Sequence, residues 1–403
     1  MIELPLLRNS ERACFKQCQA KWNWAWNRGL TLKMGVKSAA WFGSGVHLAL
    51  AEWYTPPGGT NGFARGRDPR ETLDEYFKNE FTTISAGPYF DEVAEKEYWD
   101  AAELGQIMMT AYLAEYGTDD SWEVLMPETR FAMKIAFNKK QIERHAPYAL
   151  FGNESAFITK MVGTFDMPIR DHTDGHVKVV DHKTTNKKEN PVWLQFDDQT
   201  GTYIAVSTAM LRKLGFISDK EEVVGAIWNY LRKGKPDSRP RDALGRCCNK
   251  PTKNHYLDQL LSKLMGYDEY TLKKMKVDEL ESLAEKHGID VFGDVSANQP
   301  SPLFWRIDLR RNKANRLRQL SRIADDAELI NLAKAGVIPI TKNPDEHCAW
   351  CEFKELCAVD EDGGDTEQFI KDVFKVQDMY ADHRPNAINS KSSVKSQKET
   401  GVK

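Results

Sequence analysis

The chain has 403 residues, of which 41% are hydrophobic and 29% charged, and its formal net charge is −3 at pH 7. This composition supports a folded protein of one large domain or two to three smaller ones, and it excludes a wholly disordered chain. A net charge so close to zero gives no overall sign of a nucleic-acid partner, so local charge decides that question.

The sequence also bears on where the protein works. We find no run of eighteen apolar residues, which predicts no transmembrane helix and no membrane partner. The opening MIELPLLRNSERACF lacks the basic and apolar regions of a secretion signal. We therefore expect a cytoplasmic protein whose seven cysteines are reduced and serve as metal ligands or core residues.

Helical patterns dominate the first part of the chain. Residues 10–28, with Ser10 as N-cap, and residues 38–54 both carry apolar residues at helical spacing. A longer helical pattern follows at about 91–116. We therefore assign residues 1–120 to a helical N-terminal part.

Strand patterns follow and define a central core, which we assign to residues 121–235. Three segments alternate with period two, which predicts strands of one antiparallel sheet. A helix and a further strand complete the core. The alternating segments are 122–137, 156–171 and 176–185, the helix is 196–214, and the last strand is 222–234.

The remaining chain divides into three segments. Residues 236–300 form a polar, helix-rich insertion. Residues 301–365 contain a last strand at 303–311, a basic helix at 313–336 and a cysteine cluster. Residues 366–403 are a C-terminal helix followed by a tail with almost no large apolar residues, which predicts disorder from 384 onward. This order of elements predicts an α/β fold with a helical N-terminal part.

Acidic residues stand at the end of a buried strand in VVDHKTT, residues 179–185. Asp181 and Lys183 alternate onto one face, and Asp166 lies fifteen residues upstream in the neighbouring strand. A hairpin between these strands would bring both carboxylates together, and a divalent cation relieves their repulsion. Lys183 can then stabilise a developing negative charge, which suits metal-assisted phosphodiester hydrolysis. The alternative is an ordinary salt bridge between strands.

Two further motifs accompany this pair in a fixed order. FGSGVH places His47 upstream, and DQTGTY places Gln199 and Tyr203 one helical turn apart downstream. With these four features the chain resembles the PD-(D/E)XK nuclease superfamily. The resemblance is to the RecB-like branch that includes iron–sulfur exonucleases associated with CRISPR systems and phages. It implies a restriction-endonuclease-like central mixed sheet flanked by helices.

The resemblance also implies a role for each motif residue. The ligands of a catalytic Mg²⁺ or Mn²⁺ would be the side chains of His47, Asp166 and Asp181 and the backbone carbonyl of His182. The catalytic lysine would be Lys183, and the residues that support the active site would be Gln199 and Tyr203. In one respect the chain departs from many members of the superfamily, since it has Asp181 where they have Glu.

Three cysteines, Cys348, Cys351 and Cys357, form a C-x2-C-x5-C pattern near the end of the chain. Cysteine-based metal sites usually need a fourth ligand. In the iron–sulfur nucleases that the chain resembles, this ligand lies near the N-terminus in C-x-x-[KR]-aromatic, a pattern that Cys18 fits and Cys14 does not. The resemblance therefore implies a structural [4Fe–4S] cluster in a C-terminal knot. The ligand chemistry alone leaves a zinc site open.

Two basic segments, 232–246 and 306–322, stand out against the near-neutral average. Beside a nuclease centre such residues are candidates for phosphate contact, whereas elsewhere they usually form a solvated face. The candidates for DNA binding are Arg232, Lys233, Arg310, Arg311, Lys313, Arg316 and Arg318.

The sequence thus predicts a metal-dependent DNA exonuclease that serves phage or bacterial DNA recombination or processing. No G-x-x-x-x-G-K-[ST] motif occurs, so a separate helicase or recombinase is the expected kind of partner besides DNA. Two alternatives stay open. One is a catalytically silent DNA-end-binding subunit of a helicase–nuclease or recombination complex, and the other is a zinc-stapled structure-specific endonuclease.

Overall fold

The structure is a computed structural model of the chain. It describes residues 4–33, 39–57, 62–86, 91–145, 157–187 and 192–384. The chain forms two compact units, of which the second is Gly234–Leu303 and the first comes from the segments on either side of it. Apart from Arg384, the tail expected to be disordered lies outside the described residues. No helix in the described part of the chain has the length and apolar character needed to cross a membrane.

Runs of helices and runs of strands follow one another along the chain. The α-helices are α1 (Asn9–Gln17), α2 (Gln19–Trp22), α3 (Ala39–Trp53), α4 (Pro69–Ile84), α5 (Glu92–Tyr116), α6 (Lys139–His145), α7 (Asp198–Lys213), α8 (Lys253–Lys263), α9 (Glu269–Lys274), α10 (Val277–Lys286), α11 (Lys313–Lys334), α12 (Lys354–Glu361) and α13 (Thr366–Val373). The strands are β1 (Leu6–Leu7), β2 (Leu30–Leu32), β3 (Trp122–Val124), β4 (Thr129–Ala136), β5 (Phe157–Phe165), β6 (Met167–Asp171), β7 (His176–Thr185), β8 (Val223–Arg232), β9 (Phe304–Arg310) and β10 (Phe374–Val376).

The helix expected over 10–28 is interrupted at Cys18. This residue has an extended backbone (φ −158°, ψ 116°) between α1 and α2. The break is stabilised from outside, because the backbone N–H of Ala20 donates to the carbonyl of Thr341 at 3.1 Å. The thiol of Cys18 is thereby placed at a junction that the C-terminal part of the chain also reaches.

Three helices, α3, α4 and α5, follow one another in the chain ahead of β3 and pack together. Helix α4 was not anticipated, although it starts with a clear signal: Asp68 caps it through a hydrogen bond from Arg70 N, and Pro69 is its first residue. Helix α3 approaches α4 closely at Gly45, where a Cβ would lie 2.7 Å from the ring of Tyr76. The small residue therefore lets α3, which carries His47, pack tightly on its neighbour.

The central sheet has five strands in the order β3-β6-β7-β8-β9. Only the β7–β8 pair is parallel and the other pairs are antiparallel. This is the mixed sheet that the resemblance implied. Helix α7 packs over it, and α11 packs on α7 and on β4 and β5. The shared core includes Val177, Val179, Ile204 and Ile323. Burial of this apolar face supplies the main driving force for folding.

The expectation of one antiparallel sheet is wrong, because β1, β5 and β4 form a separate three-stranded sheet in that order. The chain leaves one sheet for the other at Asp166, between β5 and β6, and again between β3 and β4 at Glu128. Glu128 has a left-handed backbone (φ 41°), and its N–H donates to the carbonyl of Asp166 at 2.7 Å. Period-two alternation continues across both breaks, so the sequence pattern does not reveal them.

The remaining elements form two smaller cores. In the second unit, α8, α9 and α10 pack through Leu260, Leu272 and Leu280. In the first unit, α12 and α13 pack with α2 around Phe353, and β10 pairs antiparallel with β2. This last core joins the N-terminal and C-terminal cysteine segments.

Candidate metal-dependent active site

The hairpin β6–β7 brings Asp166 and Asp181 to one place. Met167 pairs with Val180, so Asp166 and Asp181 stand at the next position of the register. Asp181 follows the buried run at Val179 and Val180 and is itself only 3% exposed. A carboxylate in such a position needs a charged partner or a metal ion.

His47 on α3 reaches across to Asp166. Its Nδ1 lies 3.2 Å from Asp166 Oδ2, which also accepts the backbone N–H of His182 at 2.8 Å. Burial alone disfavours the charged forms of both side chains, but their mutual attraction and hydrogen bond outweigh it. The pKa of His47 is raised to about 9 and the pKa of Asp166 is held well below its usual range.

Glu128 completes a possible metal site with these two residues. One ligand atom each of His47, Glu128 and Asp166 lies within 4.8 Å of the other two. Desolvation, and then the negative charge of Asp166, raise the pKa of Glu128. An oxygen- and nitrogen-donor set of this kind suits Mg²⁺ or Mn²⁺. No sequence motif marks Glu128, because its position depends on the kink between β3 and β4.

The second half of the site is centred on Asp181 and Lys183. Lys183 Nζ lies 2.6 Å from Asp181 Oδ2 and 3.3 Å from Gln199 Oε1. Gln199 on α7 donates to the hydroxyl of Tyr203 at 3.0 Å and lies 3.4 Å from Asp181 Oδ1. The i, i+4 spacing of Gln199 and Tyr203 therefore does place both side chains together beside the lysine.

Asp181 is incompletely satisfied as a hydrogen-bond acceptor. Although Lys183 is its ion-pair partner, its buried Oδ2 accepts no well-aligned hydrogen bond from any described residue. Burial, reinforced by the charge of Asp166, raises the pKa of Asp181 to about 6 in spite of Lys183. A divalent cation would provide the missing partner and favour the ionised form, so the residues present fit such an ion.

The side chain of His182 takes no part in this constellation and joins a buried polar network. Its Nδ1 lies 2.8 Å from the amide nitrogen of Asn229, which is its ladder partner in β8. Arg306 donates to Asn229 Oδ1 at 3.2 Å and makes a bidentate pair with Asp119 at 2.6 and 2.7 Å. Burial lowers the pKa of His182 to about 3, so its ring is neutral. Only the backbone of His182 remains for a metal ion.

The four predicted cluster cysteines line one cavity of about 210 Å³ in the first unit, and Lys21, Trp24 and His347 are among its other lining residues. Cys14 is not among the residues that line it and packs against the main core instead. Cys247 and Cys248 belong to the second unit. The cysteines that line the cavity are Cys18, Cys348, Cys351 and Cys357.

These thiols are more widely spaced than a mononuclear site requires. Among the described residues, no three of the cysteines bring their sulfur atoms within 4.8 Å of one another. A zinc ion with Zn–S bonds of about 2.3 Å in tetrahedral geometry needs sulfur atoms about 3.8 Å apart. Burial raises the pKa of Cys351 and of Cys357, which favours the thiol until a metal is bound.

The predicted DNA-binding residues differ in how they are engaged. Arg310 pairs with Asp174 at 2.5 Å, and Arg316 pairs with Glu222. Arg311 donates to the carbonyl of Leu194 at 3.4 Å, and Lys233 lies 4.9 Å from the ring centre of Phe42. Arg232 ends β8 and is half-buried, whereas Lys313 and Arg318 are exposed on α11. Contact of these residues with DNA stays a prediction.

Fold and site together define an α/β protein with a carboxylate–lysine centre where the chain passes from the three-stranded to the five-stranded sheet. Such a centre is expected of a metal-dependent phosphodiesterase. The family model of the PD-(D/E)XK nuclease superfamily matches residues 10–358, and the chain belongs to this superfamily. Its members are nucleases that bind DNA and hydrolyse phosphodiester bonds with Mg²⁺ or Mn²⁺. The predicted superfamily and the mixed α/β fold are therefore confirmed.

Other comparisons add little to this assignment. The solved structure titled "Crystal structure of SSO0001" is 10% identical in sequence. The alignment covers 80% of this chain and 96% of that one, with a TM-score of 0.27, too low to support any structural conclusion. The search of curated proteins gave no match.

Proposed function

We propose that this protein is a metal-dependent DNA exonuclease of the RecB-like branch, with a structural [4Fe–4S] cluster. One observation carries the catalytic part of the proposal. The ligand atoms of His47, Glu128 and Asp166 converge within 4.8 Å, and the Asp181–Lys183 pair follows on the adjacent strand of the same hairpin.

The site residues have two proposed roles, which are to bind the metal ion and to stabilise negative charge on the phosphate. His47, Asp166 and Asp181 would hold the divalent ion, with the backbone carbonyl of His182 and the carboxylate of Glu128 as further ligands. The bound ion supplies positive charge that polarises the scissile phosphate and lowers the pKa of a water molecule.

Lys183 acts on the phosphate directly. Burial works against its charge, but Asp181 and Asp166 outweigh this and raise the pKa of the ammonium group, so Lys183 stays protonated. Asp181 and Gln199 hold Nζ from two sides. A fixed cation in a partly desolvated site stabilises charge that develops on the phosphate oxygens far better than a mobile one in water.

The four-cysteine cavity supports the cluster in preference to zinc. All four cysteines line this cavity, and among the described residues no three of their sulfur atoms lie within 4.8 Å of one another. A cluster there would join Cys18 to the C-terminal cysteines and close a loop of 330 positions (348 − 18). Closure of so long a loop stabilises the folded state by restricting the unfolded chain.

The intact catalytic set argues against a silent DNA-end-binding subunit. Preference for DNA ends, a role in phage or bacterial recombination and cooperation with a separate helicase or recombinase rest on the family resemblance. The sequence has no phosphate-binding loop of a motor, so helicase activity would come from a separate protein.

Cleavage of end-labelled DNA tests the proposal. Linear single- and double-stranded DNA, labelled at the 5′ or the 3′ end, is incubated with Mg²⁺ or Mn²⁺ and with wild type or Lys183→Ala. We expect wild type alone to shorten the strands from an end and to leave closed circular DNA intact. Cleavage of the circle would establish an endonuclease, and DNA binding without cleavage would favour the silent subunit.

A further inference from the structure

A second cavity is lined in part by Gln199 and Tyr203, and Gln199 also contacts Asp181 and Lys183. It has a volume of about 470 Å³ and belongs entirely to the first unit. The start of α1, strands β4 and β5, the start of α7 and the turn at Ala381–His383 all contribute to its lining. The proposed catalytic role of Gln199 and Tyr203 does not require such a cavity.

Three nitrogen-bearing side chains converge on this cavity: Arg8, Arg130 and His383. Burial, followed by the charges of the two arginines, lowers the pKa of His383 to about 4. The imidazole is therefore neutral at pH 7. Both guanidinium groups lie near enough to His383 to lower its pKa. Like charges that gather in this way are unfavourable unless an anion joins them.

Neither arginine forms an ion pair with a carboxylate within the described part of the chain. Arg130 is exposed on β4. Arg8 has a buried Nε with no hydrogen-bond partner among the described residues, and its guanidinium lies 5.7 Å from the ring centre of Tyr380. A buried donor without a partner costs stability unless a ligand satisfies it.

The carboxylates that line the same cavity are mostly engaged elsewhere. Asp197 caps α7 by accepting from the backbone N–H of Thr200 at 2.7 Å. Asp198 pairs with Lys16 at 2.6 Å and with Arg12 at 3.3 Å. Asp382 remains at the exposed rim. Arg8 and Arg130 are therefore the cationic lining side chains that no described carboxylate pairs, whereas Asp198 is neutralised by its own partners.

The geometry points to a phosphate-binding subsite: we propose that this cavity holds a phosphate of the substrate strand next to the one that is cleaved, with Arg8 and Arg130 as its ligands. The inference rests on the proposed nuclease function, because Gln199 lines the cavity and also contacts both Asp181 and Lys183. The ligand is a terminal monophosphate or an internal phosphodiester, which share the chemistry that arginine recognises.

Equilibrium binding of short single-stranded DNA tests the subsite without cleavage when EDTA removes divalent ions. The DNA carries a 5′-phosphate, a 3′-phosphate or hydroxyl groups at both ends. We expect Arg130→Gln and Arg8→Gln each to bind about tenfold more weakly than wild type. The slope of log K against log salt should fall by about 0.7 for each phosphate that the variant no longer neutralises.

Arg70→Gln is the matched control, because Arg70 is exposed on α4 and pairs with Asp68 at 2.5 Å. A terminal phosphate as ligand predicts that wild type prefers one phosphorylated end and that Arg130→Gln abolishes the preference. An internal phosphodiester predicts an equal decrease in affinity for all three substrates. Unchanged affinity and salt slope in both arginine variants would overturn the subsite.

The two proposals fail in different ways. If wild type cleaves DNA but the arginine variants bind and cleave as it does, the subsite is wrong and the nuclease function stands. If wild type binds DNA through both arginines but never cleaves, the nuclease function is wrong and the cavity is a phosphate site of a binding protein. Arg130 is exposed, so its variant should fold, and circular dichroism verifies this for both.

Discussion

The amide nitrogen of Asn229 lies 2.8 Å from Nδ1 of His182, and both side chains are buried in adjacent parallel strands. His182 stands between Asp181 and Lys183, so the ring of this residue fixes the strand that carries the proposed catalytic pair. Asn229 is in turn held by Tyr112 at 2.9 Å and by Arg306. A polar network therefore supports β7 on the face opposite Asp181 and Lys183.

Removal of Asn229 should destabilise the protein and slow catalysis together. Asn229→Ala leaves the buried nitrogen of His182 and a donor of Arg306 without partners, at a cost of about 1–3 kcal/mol for each buried group. Urea unfolding followed by circular dichroism measures this cost. Asn27→Ala, which alters an exposed asparagine, is the control and should change the free energy of unfolding by less than about 0.5 kcal/mol. Equal stability of both variants would mean that the network does not stabilise the fold.

The β6–β7 hairpin that joins Asp166 and Asp181 could be predicted from sequence, but much around it could not. The spacing of Asp166 and Asp181 and the period-two pattern suffice, because a tight antiparallel pair has one register that buries Val179. Helix α4 was missed although Asp68 and Pro69 mark its start. The network around His182 could not be predicted from the sequence, since Tyr112, Asn229 and Arg306 are distant in sequence and meet only in the folded protein.

Glu128 should contribute to metal affinity although no motif marks it. Glu128→Gln keeps the shape of the side chain and removes its charge, so we expect the Mg²⁺ concentration for half-maximal cleavage to rise about tenfold or more. Mg²⁺ titrations of the cleavage rate measure this, and the exposed Glu95 of α5 provides a control as Glu95→Gln. If the half-maximal Mg²⁺ concentration stays the same, the ion is held by the other residues alone.

His47 should make the stability of the metal-free protein depend on pH. Its pKa is raised to about 9 in the folded state from an ordinary value of 6.5 by its pairing with Asp166. The resulting stabilisation is fully present below about pH 6.5 and is lost as the pH rises through 9. We expect the free energy of unfolding to fall by about 1–3 kcal/mol across that window. His47→Gln serves as the reference, and a parallel fall in the variant would assign the effect to other groups.

Acidification should weaken catalysis through Asp181, because burial raises the pKa of this carboxyl to about 6. Below that pH the protonated side chain neither pairs with Lys183 nor binds a cation, so the rate at a fixed low Mg²⁺ concentration should fall by about tenfold per pH unit. Saturating Mg²⁺ should shift the fall to lower pH, since a cation favours the ionised form. Rate profiles at two Mg²⁺ concentrations measure this. A pH profile that does not change with the Mg²⁺ concentration would show that Asp181 does not bind the metal.

The two N-terminal cysteines give the sharpest test of the cluster, because they lie one helical turn apart and differ in surroundings. Cys18 lines the cavity with Cys348, Cys351 and Cys357, whereas Cys14 packs against the main core. We expect Cys18→Ser to lose the visible absorbance, the bound iron and sulfide, and at least about 3 kcal/mol of stability, since a structural metal site contributes directly to folding. Cys14→Ser should retain all of the metal.

To measure this, the protein is purified without oxygen and analysed for iron, sulfide and zinc. Zinc in a colourless wild-type protein would show that the site is mononuclear and holds no cluster. Iron retained by Cys18→Ser would show that Cys18 is not a ligand.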